Sequence, residues 1–248
     1  MNNPVVLITG ALSGIGKAAA LAFAAEGARL VLAGRRDDEG NSFARELSEA
    51  GTEVEYVHAD IRRDEDVRRL VERAVERFGR IDVAVNSAGA EGTPGPLTDQ
   101  TAETYAAVFD TNVLGVMLGM KYQLQVMQAQ KSGSIVNISS SMGHKAAANM
   151  AVYTASKHAL EGMTKAAALE AAPYGVRVNA VAPGPVETEM LKRLTPTPEK
   201  AAALVASVPL KRVGQVDEIA RAILFVASEK SAFITGNVLW VDGGKSAG

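Results

Sequence analysis

Tyr153 and Lys157 stand four residues apart, a spacing that puts two side chains on one face of a helix. A phenol with an ordinary pKa of about 10 exchanges its proton poorly at neutral pH. A cation one turn away stabilises the phenolate and lowers that value. Such a pair can serve as general acid and base on a carbonyl or an alcohol. Ser140 lies thirteen residues earlier, at the carboxyl end of an apolar run, where its hydroxyl could polarise the same oxygen. Taken alone, a Y-x-x-x-K pair is common on helix surfaces.

A second constellation opens the chain. The apolar run 5–9 leads into Gly10-Ala11-Leu12-Ser13-Gly14-Ile15-Gly16-Lys17 and then into an alanine-rich stretch. Strand, glycine turn and helix in that order place free backbone N–H groups and a positive dipole end at one point, where a diphosphate fits. Gly10 serves the tight turn, Gly14 the close approach of a ligand and Gly16 the contact of helix with strand, with Leu12, Ser13 and Ile15 between them. The spacing is G-x-x-x-G-x-G rather than G-x-G-x-x-G, and it predicts a dinucleotide site. The second apolar run ends Ala33-Gly34-Arg35-Arg36. NAD sites carry an acid there for the ribose, whereas an arginine accommodates the 2′-phosphate of NADP. Arg35 and Arg36 therefore favour NADP(H), with NAD(H) as the alternative, although Asp37, Asp38 and Glu39 partly cancel their field.

The elements that must position these groups follow from periodicity. Strands are expected at 5–9, 29–33, 53–59, 82–86, 134–139, 177–182 and 237–241, and helices at 16–26, 39–50, 64–78, 101–130, 152–172 and 216–227. Apolar strands alternating with helices predict an α/β fold: a single-domain, doubly wound, Rossmann-like parallel sheet of about seven strands with helices on both faces. Ligands of such folds bind beyond the carboxyl ends of the strands. No linker or repeat divides the chain, so 1–248 is expected to be one catalytic domain.

Composition narrows the function classes. Among 248 residues, 47% are hydrophobic and 22% charged, as in ordinary globular domains. There are no cysteines, which excludes thiolate chemistry, disulfides and iron–sulfur clusters. A net charge of −2 gives no global field toward nucleic acid or membrane. The start of the chain lacks a basic n-region and its apolar run stops at Ile8, so no targeting or spanning segment is expected and a cytoplasmic setting fits. His58, His144 and His158 show no ligand spacing, and no metal site is expected. His58 reads as the end of a core strand. Seven of the eight methionines fall between Met117 and Met190, and Ala155, Ala159, Gly162, Ala166 and Ala167 make one helix small-sided. Sparse charge on two long helices points to a subunit interface.

Together these motifs resemble the classical short-chain dehydrogenase/reductase family over essentially the whole chain. The likeness rests on the 9–16 turn, Asp60, Asn86-Ser87-Ala88-Gly89, Asn112, Ser140, Tyr153 to Lys157, Pro183-Gly184 with Thr188, and Val241 to Gly244. It implies that Tyr153 exchanges a proton with the substrate oxygen, that Lys157 holds the nicotinamide ribose and depresses the Tyr153 pKa, and that Ser140 orients the carbonyl. Asn112 would hold a water relaying protons from Lys157. Asp60 and Ile61 would contact adenine, Asn86, Ala88 and Gly89 would pass along the cofactor, and Pro183, Gly184, Val186 and Thr188 would bracket the carboxamide. Hydride chemistry would be the cofactor's. Two departures stand out: Ser87 replaces a usual asparagine, and Ser13 occupies the place where NADP-preferring relatives often carry a basic residue.

Residues 189–208, with Thr195-Pro196-Thr197-Pro198 inside, are expected to form a hinged substrate lid that the prolines keep from being helical. Met142, His144, Met150, Met190 and Leu191 join Ser140 and Tyr153 as candidate substrate contacts. A small-molecule ketone or secondary alcohol is the expected substrate and a homotetramer the expected assembly. A 3-oxoacyl-[acyl-carrier-protein] reductase and an NAD-dependent sugar or alcohol dehydrogenase are the alternatives; few basic residues stand where an acidic carrier would dock.

Overall fold

Val6 and Ile8 face one core and Leu7 the other, because successive side chains of a strand point to opposite faces. All five residues of β1 (Val5–Thr9) are buried, the signature of a strand covered on both sides. The computed structural model describes residues 3–247; residues 1, 2 and 248, including the start of the chain searched for a targeting segment, lie outside the described residues.

Around β1 the described residues form a seven-stranded sheet in the order β3-β2-β1-β4-β5-β6-β7, parallel throughout. The further strands are β2 (Arg29–Gly34), β3 (Val54–His58), β4 (Val83–Asn86), β5 (Gly133–Ile138), β6 (Val176–Pro183) and β7 (Val238–Val241). Helices α1 (Gly14–Ala25), α2 (Asp37–Glu49) and α3 (Asp64–Phe78) join the first four strands. Then come α4 (Ala102–Phe109), α5 (Gly115–Gln130) and α6 (Ala151–Ala171). Finally α7 (Glu189–Leu194), α8 (Pro198–Ala206) and α9 (Val216–Ala227) precede β7. This is the single-domain, doubly wound Rossmann-like sandwich expected from the alternation. Residues of α1, α2 and α9 pack in one core, those of α3, α5 and α6 in the other. Among the described residues no helix is long and apolar enough to cross a membrane.

Three local expectations need correction. The helix expected over 101–130 is two helices separated by a π turn at Asp110–Leu114, whose extra residue turns Asn112 fully inward. The strand ending at His58 is an edge strand, so His58 is exposed rather than in the core, with its Nδ1 2.7 Å from Asp37 Oδ1. The prolines at 196 and 198 do not keep residues 189–208 irregular. Thr188 and Thr197 cap α7 and α8, and Pro198 starts α8 at a position where its missing N–H costs nothing.

Candidate active site

Sheet order reverses at β1, which pairs with β2 on one side and β4 on the other, and the crevice beyond their carboxyl ends is where such folds bind ligands. Gly10 turns there with φ +66°, and a Cβ on it would lie 2.7 Å from the Ala88 backbone. Gly16 is tighter still: its Cβ would meet the Gly10 carbonyl oxygen at 2.2 Å. Ser13 caps α1 without a side-chain hydrogen bond and no acid lies in the first turn, which leaves backbone donors and the positive dipole end for an anion. Leu12 and Ile15 flank this turn, both packed on the core beneath.

Thr188 reaches the same point from the far side of the site; a Cβ on Gly14 would stand 3.3 Å from its Cγ2. Its hydroxyl accepts from Leu191 N at 3.2 Å and so fixes the start of α7. Pro183 ends β6, Gly184 passes so close to Asp242 that a Cβ would lie 2.7 Å from its Cα, and Val186 is buried beside Gly214. A dinucleotide cofactor fits these residues: the cradle is one that added Cβ atoms would fill, and its helix end carries unclaimed donors.

Arg35 and Arg36 are exposed where β2 ends. Arg36 pairs with Glu39 at 3.1 Å, whereas Arg35 makes no ion pair among the described residues. Asp60 follows β3. Its carboxylate accepts from Arg62 Nε at 2.9 Å, and that hydrogen bond, helped by the Arg35 charge, holds it below the usual carboxylate range. Ile61 turns into a small core with Val67 and Leu118.

The chemical groups gather at the carboxyl end of β5. Ser140 follows that strand and accepts from Met142 N at 3.2 Å, while its side chain is hydrogen-bonded with Tyr153. Tyr153 comes from the first turn of α6 and Lys157 from the second, with the Lys157 ammonium 5.7 Å from the phenol ring centroid. Lys157 Nζ donates to the Ile138 carbonyl at 2.9 Å, and burial brings its pKa down to about 8 against the opposing pull of Glu161. Burial pushes the Tyr153 phenol up; its bond with Ser140 opposes that and the Glu91 charge adds to it. The expected depression of the phenol by Lys157 does not appear in the protein alone: the ammonium is spent on the Ile138 carbonyl, only the Ser140 bond lowers the phenol, and burial dominates.

Asn112 is sealed by three hydrogen bonds. Its Oδ1 accepts from Ala90 N at 2.8 Å, and its Nδ2 donates to Ala90 O at 2.9 Å and to Ser156 Oγ at 3.0 Å. Gly89 leaves room between Asn112 and Lys157: a Cβ on it would lie 3.5 Å from Asn112 Oδ1 and 3.8 Å from Lys157 Nζ. The Asn86 side chain is turned into the core instead of the crevice, donating to Asn137 Oδ1 at 2.8 Å and accepting from Gln123 at 2.9 Å.

A family model described as enoyl-(acyl carrier protein) reductase matches residues 10–246. The chain is 42% identical over 248 residues to the A-factor type gamma-butyrolactone 1'-reductase (1S-forming) of Streptomyces virginiae, covering 98% of this chain and 96% of that one. The chain belongs to the short-chain dehydrogenase/reductase family. As a member of that family it is an oxidoreductase. Among solved structures it superposes on levodione reductase with a TM-score of 0.96 at 36% identity, over 100% of this chain and 99% of that chain. It superposes on ElxO with NADP bound with a TM-score of 0.93 at 35% identity, over 99% of this chain and 100% of that one.

For a short-chain dehydrogenase/reductase, the remaining question is the substrate side. A small cleft beside Tyr153 is lined by Met150 and Val152 of the α6 approach, by Glu91 to Thr93, and by Gln100, Thr104 and Val108. Met150 and Tyr153 are thus at the cleft; Met142, His144, Met190 and Leu191 are not among its lining residues. His144 is exposed, its ring 4.7 Å from that of Trp240. Met190 and Leu191 lie on α7, half-buried. The α4 side of the cleft was not anticipated from sequence, nor was the ion pair of Arg193 Nε with Glu91 Oε1 at 2.6 Å, which ties α7 to the loop after β4. Glu161 was missed too, although its place four residues beyond Lys157 follows the same helical period.

Proposed function

We propose that this enzyme is an NADP(H)-dependent oxidoreductase interconverting ketones and secondary alcohols, with Tyr153 as acid and base. The observation that carries the reading is the meeting of Ser140, Tyr153 and Lys157 at the carboxyl end of β5, with Gly89 next to Lys157 and its neighbour Ala88 against Gly10 of the glycine turn. The glycine cradle, Thr188 and Gly184 would hold a dinucleotide, whose nicotinamide would supply or accept the hydride. The protein's part is proton control and placement. Ser140 and Tyr153 present two hydroxyls to one carbonyl oxygen, and Tyr153 gives that oxygen its proton in reduction and removes it in oxidation. Lys157 holds the nicotinamide ribose and stabilises phenolate. Asn112 and the opening beside Gly89 form the route by which water resupplies Lys157.

NADP is supported by Gly34, which stands where NAD sites carry the acid that recognises a ribose hydroxyl; a side chain there would have to displace Leu12, whose Cδ1 would lie 2.7 Å from its Cβ. It is supported also by Arg35, and by the likeness to ElxO with NADP bound. A free ketone is supported by the mixed polarity of the cleft beside Tyr153 and by the likeness to levodione reductase. A lid of α7 and α8, a cytoplasmic setting and a homotetramer belong to the same reading.

The test follows NADPH absorbance with a panel of cyclic and acyclic ketones, with a 3-oxoacyl-carrier substrate and with NADH. Turnover of free ketones is expected, and Tyr153→Phe should lower kcat by about 10³-fold or more while NADPH affinity stays within about twofold. Substantial activity in that variant sinks the acid–base assignment. Turnover of the carrier substrate alone replaces the ketone reading with the carrier one.

A further inference from the structure

Glu161 is an acid only 6% exposed, in the second turn of α6 after Tyr153 and the first after Lys157. A buried carboxylate is costly unless hydrogen bonds or an opposite charge compensate it. Here Ser139 Oγ donates to Glu161 Oε1 at 2.7 Å. Gly143 comes so close that a Cβ on it would lie 2.1 Å from the same oxygen. Ser139 and Gly143 bracket the short 3₁₀ turn Ser141–Gly143 and the residue before it, Ser140. One carboxylate therefore touches the chain on both sides of the serine that is bonded to Tyr153.

We propose, resting on the function above, that Glu161 is a positioning residue for this site: it fastens the Ser140 turn to the helix carrying Tyr153 and Lys157, and it is the buried counter-charge of the Lys157 ammonium.

The charge half follows from what surrounds Lys157, itself 4% exposed. Its hydrogen-bond acceptor is an uncharged carbonyl, that of Ile138 at 2.9 Å. From its own helix the titratable neighbours are Tyr153 and Glu161. From the π turn comes uncharged Asn112; Asp110 of that turn acts on Arg62. From β5 and the 3₁₀ turn come Ser139, Ser140 and Gly143. Glu91, beyond β4, acts on Tyr153 and is paired with Arg193. On α4 Glu103 is engaged by Thr101, and on α5 Lys121 by Asp64. Glu161 is thus the acid that works against burial of Lys157, whose pKa stands at about 8.

The two roles separate by substitution. Glu161→Gln keeps an oxygen for Ser139 and removes the charge, whereas Ser139→Ala keeps the charge and removes the bond. Cofactor-free protein labelled at lysine Cε, with Lys157 assigned through Lys157→Arg, reports the ammonium titration by NMR. Removing a nearby negative charge favours the neutral amine, so in Glu161→Gln the Lys157 titration moves to lower pH, and the alkaline limb of kcat moves with it. In Ser139→Ala the titration stays in place while kcat falls by about tenfold and the KM for NADPH stays within about twofold, the mark of lost placement. Gly143→Ala, which drives a methyl against the carboxylate, should lower kcat similarly. An unmoved Lys157 titration in Glu161→Gln overturns the charge half, and wild-type kcat in both Ser139→Ala and Gly143→Ala overturns the positioning half. If the wild-type enzyme reduces no ketone, the functional reading fails, while the titration still decides the charge half.

Discussion

At the end of β2 a few side chains carry the proposed preference for NADP. Of the three acids that follow Arg36, Glu39 pairs with Arg36, and the Asp37 carboxylate is engaged by the Tyr56 hydroxyl at 3.2 Å and by His58. The Tyr56 hydroxyl also donates to the Gly34 carbonyl at 2.9 Å, which draws Asp37 and Gly34 into one network. Arg35 is left to meet a phosphate with its fixed pair of donors. Arg35→Ala should therefore weaken NADPH by about tenfold or more, from the loss of a charged hydrogen bond of roughly 1.5–3 kcal/mol. NADH should weaken less than about threefold, and calorimetric titration with both cofactors checks this. Equal losses would remove Arg35 from the phosphate site. At this scale the sequence was informative wherever chemistry lies in short spacing: the glycine turn, Tyr153 with Lys157, and Arg35 after Gly34. It was silent on Arg193 with Glu91, because only the folded sheet brings together residues 102 apart in the chain.

Helix α7 is held over the site at two points of different strength. The Thr188 cap at its start is local and geometric, while the Arg193–Glu91 ion pair closes its far end against the loop after β4. Arg193 is 61% exposed, so the pair is worth about 0.2–1 kcal/mol rather than a buried bridge's value. A latch this weak would suit the proposed lid, which would open at every turnover. Arg193→Ala should raise the KM for ketone about two- to fivefold and leave kcat within about twofold; steady-state kinetics with an unchanged KM would show that the pair does not hold the lid. The break between α4 and α5 is the matching lesson for prediction. A 3.6-residue period runs through 101–130 without interruption in the letters, but Asn112 finds three partners only if one residue is inserted into the helical ladder. The alternation of apolar runs and helical stretches was enough for the doubly wound sheet, since that follows from period alone.

Over the whole molecule, α6 shows two unlike faces. Leu160, Ala167, Ala168 and Ala171 are buried against the sheet, whereas Ala155, Gly162 and Ala166 are exposed and Leu169 is 79% exposed. A Cβ at Gly162 would meet nothing within 4 Å. An arginine there fits the isolated chain but not a face closed against another helix. We expect light scattering to find the wild type as a tetramer and Gly162→Arg as a smaller species of unreduced Tm; a monomeric wild type would refute the assembly. The parallel sheet has one more consequence, for the nascent chain. No neighbouring pair of its strands can close through a hairpin, because each needs a crossover first. Val6 finds its partner Val83 only after β2, β3 and three helices have been made. At ordinary rates of synthesis the apolar edge of β1 waits several seconds beside the ribosome, open to chaperones and to mispairing, before β4 arrives to cover it.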